Sequence, residues 1–125
     1  MYHKNPRQRN QHLLDMAEGK RCLLLCVHNC QTEYGQTTVA AHKNEGKGKG
    51  LKRHDFETVW GCGPCHSWYD QSGAPLAEKR RAFNAAHERQ IEEWRKIADS
   101  YSAKPKDQKA AQWALDKLKE LGKWI

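Results

Sequence analysis

The sequence lacks a long apolar run. The longest, Leu23 to Val27, is far shorter than the roughly 18 residues that a membrane-spanning helix needs. The N-terminal stretch MYHKNPRQRN also lacks the apolar segment of a secretory signal. We therefore expect a chain that spans no membrane and stays in a reducing cytoplasm. The 5 cysteines are then expected to be metal ligands or free thiols, since disulfides are rare in that compartment.

Acidic residues are scarce relative to basic ones, and the formal net charge of the 125 residues is +7. This balance favours an anionic partner, with nucleic acid as the leading candidate. The alternative is a basic, solvated surface without a specific partner. A chain of this length suffices for one domain with a modest core, which a structural metal would help to stabilise.

Apolar periodicity and turn residues predict a short helix, two short strands and a helical second half. The predicted helices cover 11–19, 65–70, 76–100 and 106–121, and the strands cover 37–42 and 56–60. Residues 43–54, KNEGKGKGLKRH, contain three glycines and five basic residues, which predicts a mobile loop. The chain then divides into a basic flexible N-terminus at 1–10, the main domain at 11–100 and a helical extension at 101–125.

The motif GCGPCH at residues 61–66 is compatible with three kinds of site. A thioredoxin-type redox site requires a βαβ pattern upstream, and the sequence does not have one. A c-type haem requires an export route and usually a distal Met or His ligand, yet Met1 and Met16 are the 2 methionines. Zinc is the favoured interpretation, because tetrahedral sulfur sites usually draw two ligands from each of two segments.

Cys62 and Cys65 form one pair at the usual spacing for a zinc site. The upstream segment RCLLLCVHNC offers further candidate ligands: Cys22, Cys26, Cys30 and His28. We favour Cys22 with Cys30 as the second pair, which leaves Cys26 as a small apolar filler. Cys26 with Cys30 is a tighter alternative, and the upstream cysteines could also be buried thiols without a metal.

Two histidines are placed where they could take part in chemistry. His42 ends the first predicted strand, where an exposed imidazole could activate a water molecule. His66 and Asp70 are one helical turn apart and could share a hard cation such as Mg²⁺ or Mn²⁺, although His66 could instead cap its helix. The loop between them carries the candidate nucleic-acid-binding residues Lys43, Lys47, Lys49, Lys52 and Arg53. These five could neutralise phosphates, or they could belong to a solvated linker.

The order of a cysteine pair, a strand-final histidine, a glycine-rich loop and CxxCH resembles the HNH, or ββα-metal, endonucleases. Within that family it is similar to the small phage-borne YbcO-like nucleases. The segments that carry the resemblance are GKRC at 19–22, the cysteine at 30, TTVAAH at 37–42, GKGKG at 46–50, HDFETVWGC at 54–62 and CGPCHSWYD at 62–70. It covers about residues 9–97.

The resemblance implies an α+β fold: a small zinc-stapled ββα-metal core with a flanking N-terminal helix and two C-terminal helices. It implies an endonuclease of a phage-infected host cytoplasm that hydrolyses nucleic-acid phosphodiester bonds, foremost those of double-stranded DNA. His42 would be the general base, and His66, with Asp70, would bind the catalytic Mg²⁺ or Mn²⁺. The structural Zn²⁺ site would map to Cys22, Cys30, Cys62 and Cys65.

Two positions depart from the family pattern. Ala41 stands where many members carry a further metal ligand, and the middle Asn has no clear equivalent. Asp55 is the favoured substitute over His54 and Glu57, because its carboxylate could orient Nδ1–H of His42. The main alternative is therefore a non-catalytic, zinc-stapled DNA- or RNA-binding module. A third is a protein-interaction adaptor, since the C-terminal helices are candidates for a homodimer or protein-partner contact.

Overall fold

The structure, a computed structural model, describes residues 7–32, 35–44 and 53–122. In these ranges it is of the α+β class, with four helices and one two-stranded antiparallel sheet. The elements in chain order are α1 Gln11–Asp15, β1 Val39–His42, β2 Thr58–Gly61, α2 Gly63–Gln71, α3 Leu76–Asp99 and α4 Pro105–Glu120. Within the described ranges, each helix is too short or too polar to span a membrane.

The two strands pair with Val39 opposite Gly61 and His42 opposite Thr58. Strand β2 is buried along its whole length, whereas β1 has exposed and half-exposed positions on either side of a buried Ala41. An alternating pattern is expected where only one face of a strand meets the core. Strand β1 ends at His42, as predicted, and this leaves the His42 side chain half-exposed at the end of the sheet.

The largest differences from the predicted helix boundaries are at the end of α1 and the start of α2, whereas α3 and α4 differ by at most one residue at each end. Helix α1 ends at Asp15, four residues earlier than expected, and is capped at its start by Asn10, whose side chain accepts from Leu13 N–H at 3.0 Å. Helix α2 begins at Gly63, because Pro64 is compatible with a first helical turn. The hydroxyl of Thr37 accepts from Gly63 N–H at 2.8 Å and satisfies one free donor of that turn.

The helical core lies between α1, α3 and α4. Its buried members are Leu13, Met16, Phe56, Ile91, Trp94, Ala110, Ala111, Ala114, Leu115 and Leu118. Full burial of a large apolar side chain contributes about 1.5–3 kcal/mol. The buried residues of α4 face this core, whereas Leu121, which follows the helix, is 62% exposed.

A second cluster, the cysteine core, lies between the sheet and α2. Its buried members are Cys22, Leu24, Ala41, Val59, Cys62, Cys65, Tyr69, Phe83 and Ala86. Tyr69 stacks on Phe83 with ring centroids 5.5 Å apart, and its hydroxyl accepts from Asn44 N–H at 2.6 Å. Helix α2 is thereby attached to the segment that follows His42.

Gly35 is the glycine at which we expect a side chain to be least tolerated. Its φ is +66°, and a Cβ there would lie 2.6 Å from the carbonyl oxygen of Gly19. A left-handed conformation costs a non-glycine residue about 1–3 kcal/mol, and the backbone clash adds to that cost. Gly19→Ala is the matched control, because Gly19 has a φ of +80° but nothing within 4 Å. Thermal melts should place Gly35→Ala below Gly19→Ala, and equal melting temperatures would contradict the close approach.

Candidate functional site

Four cysteine side chains converge where segment 22–30 meets the end of β2 and the start of α2. The sulfur atoms of Cys22, Cys30, Cys62 and Cys65 all lie within 4.8 Å of one another. Cys62 Sγ is 3.8 Å from Cys30 Sγ. A tetrahedral site with Zn–S bonds of about 2.3 Å has S···S edges of about 3.8 Å. The cluster could therefore hold a metal ion such as zinc, and it unites the two pairs that the sequence favours.

Backbone amides point at three of these sulfurs. The donor and acceptor pairs are Leu25 N to Cys22 Sγ at 3.5 Å, Cys26 N to Cys65 Sγ at 3.4 Å and Gln31 N to Cys62 Sγ at 3.3 Å. Such donors favour the thiolate, which is the form that binds metal. Leu25 has a φ of 48°, a conformation that L side chains rarely adopt, at the residue whose amide reaches Cys22.

Burial and mutual hydrogen bonding favour neutral thiols in the cluster. The hydrogen bond with Cys65, followed by burial, raises the pKa of Cys22 to about 12. Cys22 lowers the pKa of Cys65, but the Cys26 thiol and burial outweigh this and raise it to about 12. Burial is the main cause that raises the pKa of Cys30. A divalent ion must displace these protons, so its binding is expected to weaken as the pH falls.

The fifth cysteine lies beside the cluster and outside the group of four. Cys26 is half-buried against the cysteine core, and its thiol donates to the carbonyl of Cys65 at 3.7 Å. A hydrogen bond with Cys65 lowers the pKa of Cys26. Cys26 thus contacts Cys65 without belonging to the group of four sulfurs. Substitution of Cys26 therefore provides a matched control for substitution of the four cysteines.

Helix α3 holds the first cysteine segment against β2. Arg89 donates to the carbonyl of Leu23 from two guanidinium nitrogens, at 2.9 and 2.6 Å. Leu23 N–H donates to Trp60 O at 2.7 Å, and Gln90 Oε1 accepts from Trp60 N–H at 2.9 Å. These contacts set Cys22 beside β2. No sequence motif pointed to Arg89 or Gln90, because their role depends on how a distant helix packs.

A second group of polar side chains lies at the end of β1. His42 Nε2 is 2.9 Å from Asp55 Oδ1. Asp55 is 0% exposed, whereas 31% of the His42 side chain is exposed. The structure therefore brings two of the predicted site residues into contact, with the histidine facing solvent and the carboxylate behind it.

The N-terminal segment completes the surroundings of Asp55. Asn10 N–H donates to Asp55 Oδ2 at 2.7 Å, and the Arg7 guanidinium lies 3.4 Å from Oδ1. Asp55 N–H donates to Gln8 O at 3.0 Å, and Arg7 Nε donates to Arg53 O at 2.9 Å. Donors of this kind are what a buried carboxylate needs to remain charged.

Sequence reasoning placed residues 7–10 in a flexible N-terminus and did not include them in the site. Asn10 had a detectable signal, since an Asn directly before an apolar helical stretch is a typical N-cap. Arg7 had none, because its contacts join positions 46 and 48 residues apart in the chain.

The contact between His42 and Asp55 uses Nε2, whereas Nδ1 was expected. Asp55 precedes Thr58, the strand partner of His42, by three residues, and the ring reaches it with the nitrogen farther from the backbone. Arg7 also approaches Nε2, at 3.3 Å. Arginine only donates and an ionised Asp only accepts, so the shorter contact assigns the proton to Nε2. Nδ1 has no hydrogen bond with any described residue, and it is then the basic nitrogen.

The predicted ligands of a catalytic metal, His66 and Asp70, lie one turn apart on α2. His66 is half-buried and Asp70 is exposed. Among the described residues, neither belongs to a group of three or more side chains that could hold a metal ion. The two side chains alone do not form a complete protein site for a divalent cation, and most of its ligands would have to come from elsewhere.

Two of the five predicted basic residues fall in the described part of the chain. Lys43 directly follows His42, and its amide donates to Glu57 O at 2.9 Å. Arg53 lies two residues before Asp55 and is half-buried. Both lie within two residues of the His42–Asp55 pair in the sequence, and Lys43 lines a cavity that also contains Phe83 and His87. The other three, Lys47, Lys49 and Lys52, lie outside the described residues.

Comparisons of the chain with protein-family models, curated proteins and solved structures yielded no match. The cysteine cluster and the His42–Asp55 pair are the two groups of side chains that bear on function. The sulfur cluster could serve a nuclease and a binding module equally well. A nuclease would use the His42–Asp55 pair in catalysis, whereas a binding module would need it only as a structural contact.

Proposed function

We propose that the protein is a metal-dependent HNH-type endonuclease that hydrolyses nucleic-acid phosphodiester bonds, with His42 as its general base. The observation that carries the proposal is the half-exposed His42 ring, held at 2.9 Å by the fully buried Asp55 carboxylate. A carboxylate on one ring nitrogen fixes the tautomer and stabilises the imidazolium that forms when the other nitrogen takes a proton. This is the arrangement that a general base requires.

In this proposal Nδ1 of His42 takes a proton from a water molecule aligned with the phosphodiester. Nε2 keeps its contact with Asp55, whose negative charge offsets the new positive charge on the ring. Asp55 acts through His42 and is a positioning residue. His66 and Asp70 would hold a divalent cation, Mg²⁺ or Mn²⁺, which would stabilise negative charge on the phosphate, with substrate oxygens and water as its other ligands.

The four cysteines would hold a structural zinc ion that connects segment 22–30 to the start of α2. Helix α2 carries His66 and Asp70, and Tyr69 joins the same helix to Asn44, two residues after His42. The zinc ion and this hydrogen bond would together hold α2 against the strand that ends at His42. The zinc ion would have a structural role and not a catalytic one, because four cysteine ligands leave no open coordination site for water or substrate.

Charge supports a nucleic-acid substrate. The chain has a net charge of +7, and Lys43 and Arg53 lie within two residues of His42 and Asp55 in the sequence. Contacts between such residues and phosphates release counterions, so binding should weaken steeply as the salt concentration rises. Double-stranded DNA is the substrate that the resemblance to HNH nucleases favours.

A non-catalytic, zinc-stapled nucleic-acid-binding module is the second candidate, and one observation favours it. In the described part of the chain, the cysteine cluster is the one group of three or more potential metal ligands. Ala41, at a position where many HNH nucleases carry a further ligand, is apolar and 1% exposed. In this alternative, the His42–Asp55 contact connects the N-terminal segment to the sheet and has no catalytic role.

Plasmid cleavage with Mg²⁺, Mn²⁺ or EDTA tests the proposal, with the wild type beside His42→Ala. We expect metal-dependent cleavage by the wild type and a loss of about 10²–10⁴-fold in the variant, the usual contribution of a general base. His28→Ala is the matched control, because His28 is exposed on the cysteine-bearing segment and outside the cluster.

Zinc content and circular dichroism should be the same in all three proteins. Equal cleavage by the wild type and His42→Ala, or no cleavage by the wild type, would refute the assignment. If an inactive wild type still shifted DNA on a gel, the binding module would be the better description.

A further inference from the structure

An open groove of about 650 Å³ lies between α1 and α4. Its lining includes the half-buried ring of Trp113 and the exposed side chains of Lys106 and Lys109. Asn10, whose amide donates to Asp55, lies at its other wall. The groove therefore combines an aromatic ring with two cations, and it reaches the residue that holds the His42–Asp55 pair.

A row of three rings also connects the groove to the segment that carries Asp55. His54 stacks on Phe56 with centroids 4.8 Å apart and an interplanar angle of 11°. Phe56 meets Trp113 edge-on, with centroids 5.8 Å apart. His54 directly precedes Asp55 in the chain. The ring of Trp113 thus contacts Phe56, which stacks on His54 beside the His42–Asp55 pair.

The charges along the groove favour an anionic occupant. Neither Lys106 nor Lys109 forms a salt bridge within the described part of the chain, so both charges remain available. Of the nearby acids, Asp107 lies 2.7 Å from His12 Nε2. Asp116 lines the groove and accepts from the neutral Gln112 amide at 2.9 Å, so its negative charge offsets part of the charge of the two lysines. An apolar protein ligand would not require the two lysines, whereas a nucleotide would use them and the ring.

We infer that this groove receives an unpaired nucleotide of the substrate, with its base against Trp113 and its phosphates beside Lys106 and Lys109. A base paired within a duplex cannot reach a ring set in a groove, whereas an unstacked base can. Aromatic rings beside a basic groove are the usual means of binding single strands. The inference rests on the proposed function and narrows its substrate to nucleic acid with an unpaired segment next to the cleaved bond.

Fluorescence polarisation with a labelled 12-nucleotide single strand and the matching duplex tests this inference. All proteins carry His42→Ala, so that cleavage does not interfere with binding. Trp113→Leu should weaken single-strand binding about 5- to 100-fold, the range found for loss of one stacking ring, and duplex binding less than about 2-fold. The double variant Lys106→Gln/Lys109→Gln should weaken single-strand binding about 10-fold and lower the salt dependence of that binding.

Lys119→Gln is the matched control, because Lys119 is exposed on α4 and outside the groove lining. Unchanged single-strand affinity in Trp113→Leu would overturn the inference, whatever the plasmid assay shows. If Trp113→Leu lost its cooperative melting transition, the double variant Lys106→Gln/Lys109→Gln would be the test. A single-strand affinity of the double variant equal to that of Lys119→Gln would overturn the inference. If the wild type cleaves nothing in the plasmid assay while Trp113→Leu still weakens single-strand binding in the His42→Ala background, the proposed nuclease is refuted and the nucleotide-binding groove stands.

Discussion

Cys62→Ser is expected to lose the bound metal and the cooperative folding transition, whereas Cys26→Ser is expected to lose neither. Cys62 is 0% exposed, and its sulfur lies in the group of four. Structural zinc sites contribute roughly 10–16 kcal/mol of apparent binding free energy. This is as large as the whole stability of a typical domain, about 5–15 kcal/mol. A serine hydroxyl is a poor zinc ligand, so most of that contribution should be lost.

The measurements are zinc content per chain and thermal melting followed by circular dichroism. We expect one zinc per chain in the wild type and in Cys26→Ser, and almost none in Cys62→Ser. Cys26 is the appropriate control, since a serine there keeps the amide that reaches Cys65 and can still donate to the Cys65 carbonyl. An absence of zinc from the wild type, together with equal melting in all three proteins, would show that the four sulfurs are merely buried thiols.

The elements that could be predicted from sequence are those whose signals are local. Strand β1 ends at His42 because a β-branched and small apolar stretch stops there, and α3 and α4 follow clear apolar periodicity. The pairing of Cys22 with Cys30 was favoured over that of Cys26 with Cys30, and the structure places the sulfurs of Cys22 and Cys30 in one group.

The parts that could not be predicted depend on contacts between distant segments. The surroundings of Asp55 are built by Arg7, Gln8 and Asn10, at separations of 45 to 48 residues. Arg89 reaches Leu23 across 66 residues. Neither contact leaves a periodic or compositional trace in the chain. The prediction that Asp55 would contact Nδ1 of His42 was wrong, because the nitrogen that is contacted depends on the direction from which the carboxylate approaches.

Asp55→Asn is expected to reduce cleavage by about 10²–10⁴-fold while the protein stays folded. An amide of the same shape can still accept from Asn10 N–H, but it no longer offsets the charge on the His42 ring. It can also turn its NH₂ group toward Nε2, which would move the ring proton to Nδ1 and remove the base. Asp55→Ala should in addition lower stability by about 1–3 kcal/mol, because it leaves Asn10 N–H without its acceptor.

Two measurements separate positioning from a purely structural role. Imidazole ¹⁵N shifts, assigned with His42→Ala, should show the Nε2–H tautomer in the wild type and its loss in Asp55→Asn. Cleavage rates should be taken well below the melting temperature of each variant. Asp99→Asn is the matched control, because Asp99 is exposed at the end of α3 and should change neither the shifts nor the rates. If Asp55→Asn loses stability but keeps both its cleavage rate and the tautomer, Asp55 does not position the base. The buried carboxylate would then serve only to join the N-terminal segment to the sheet.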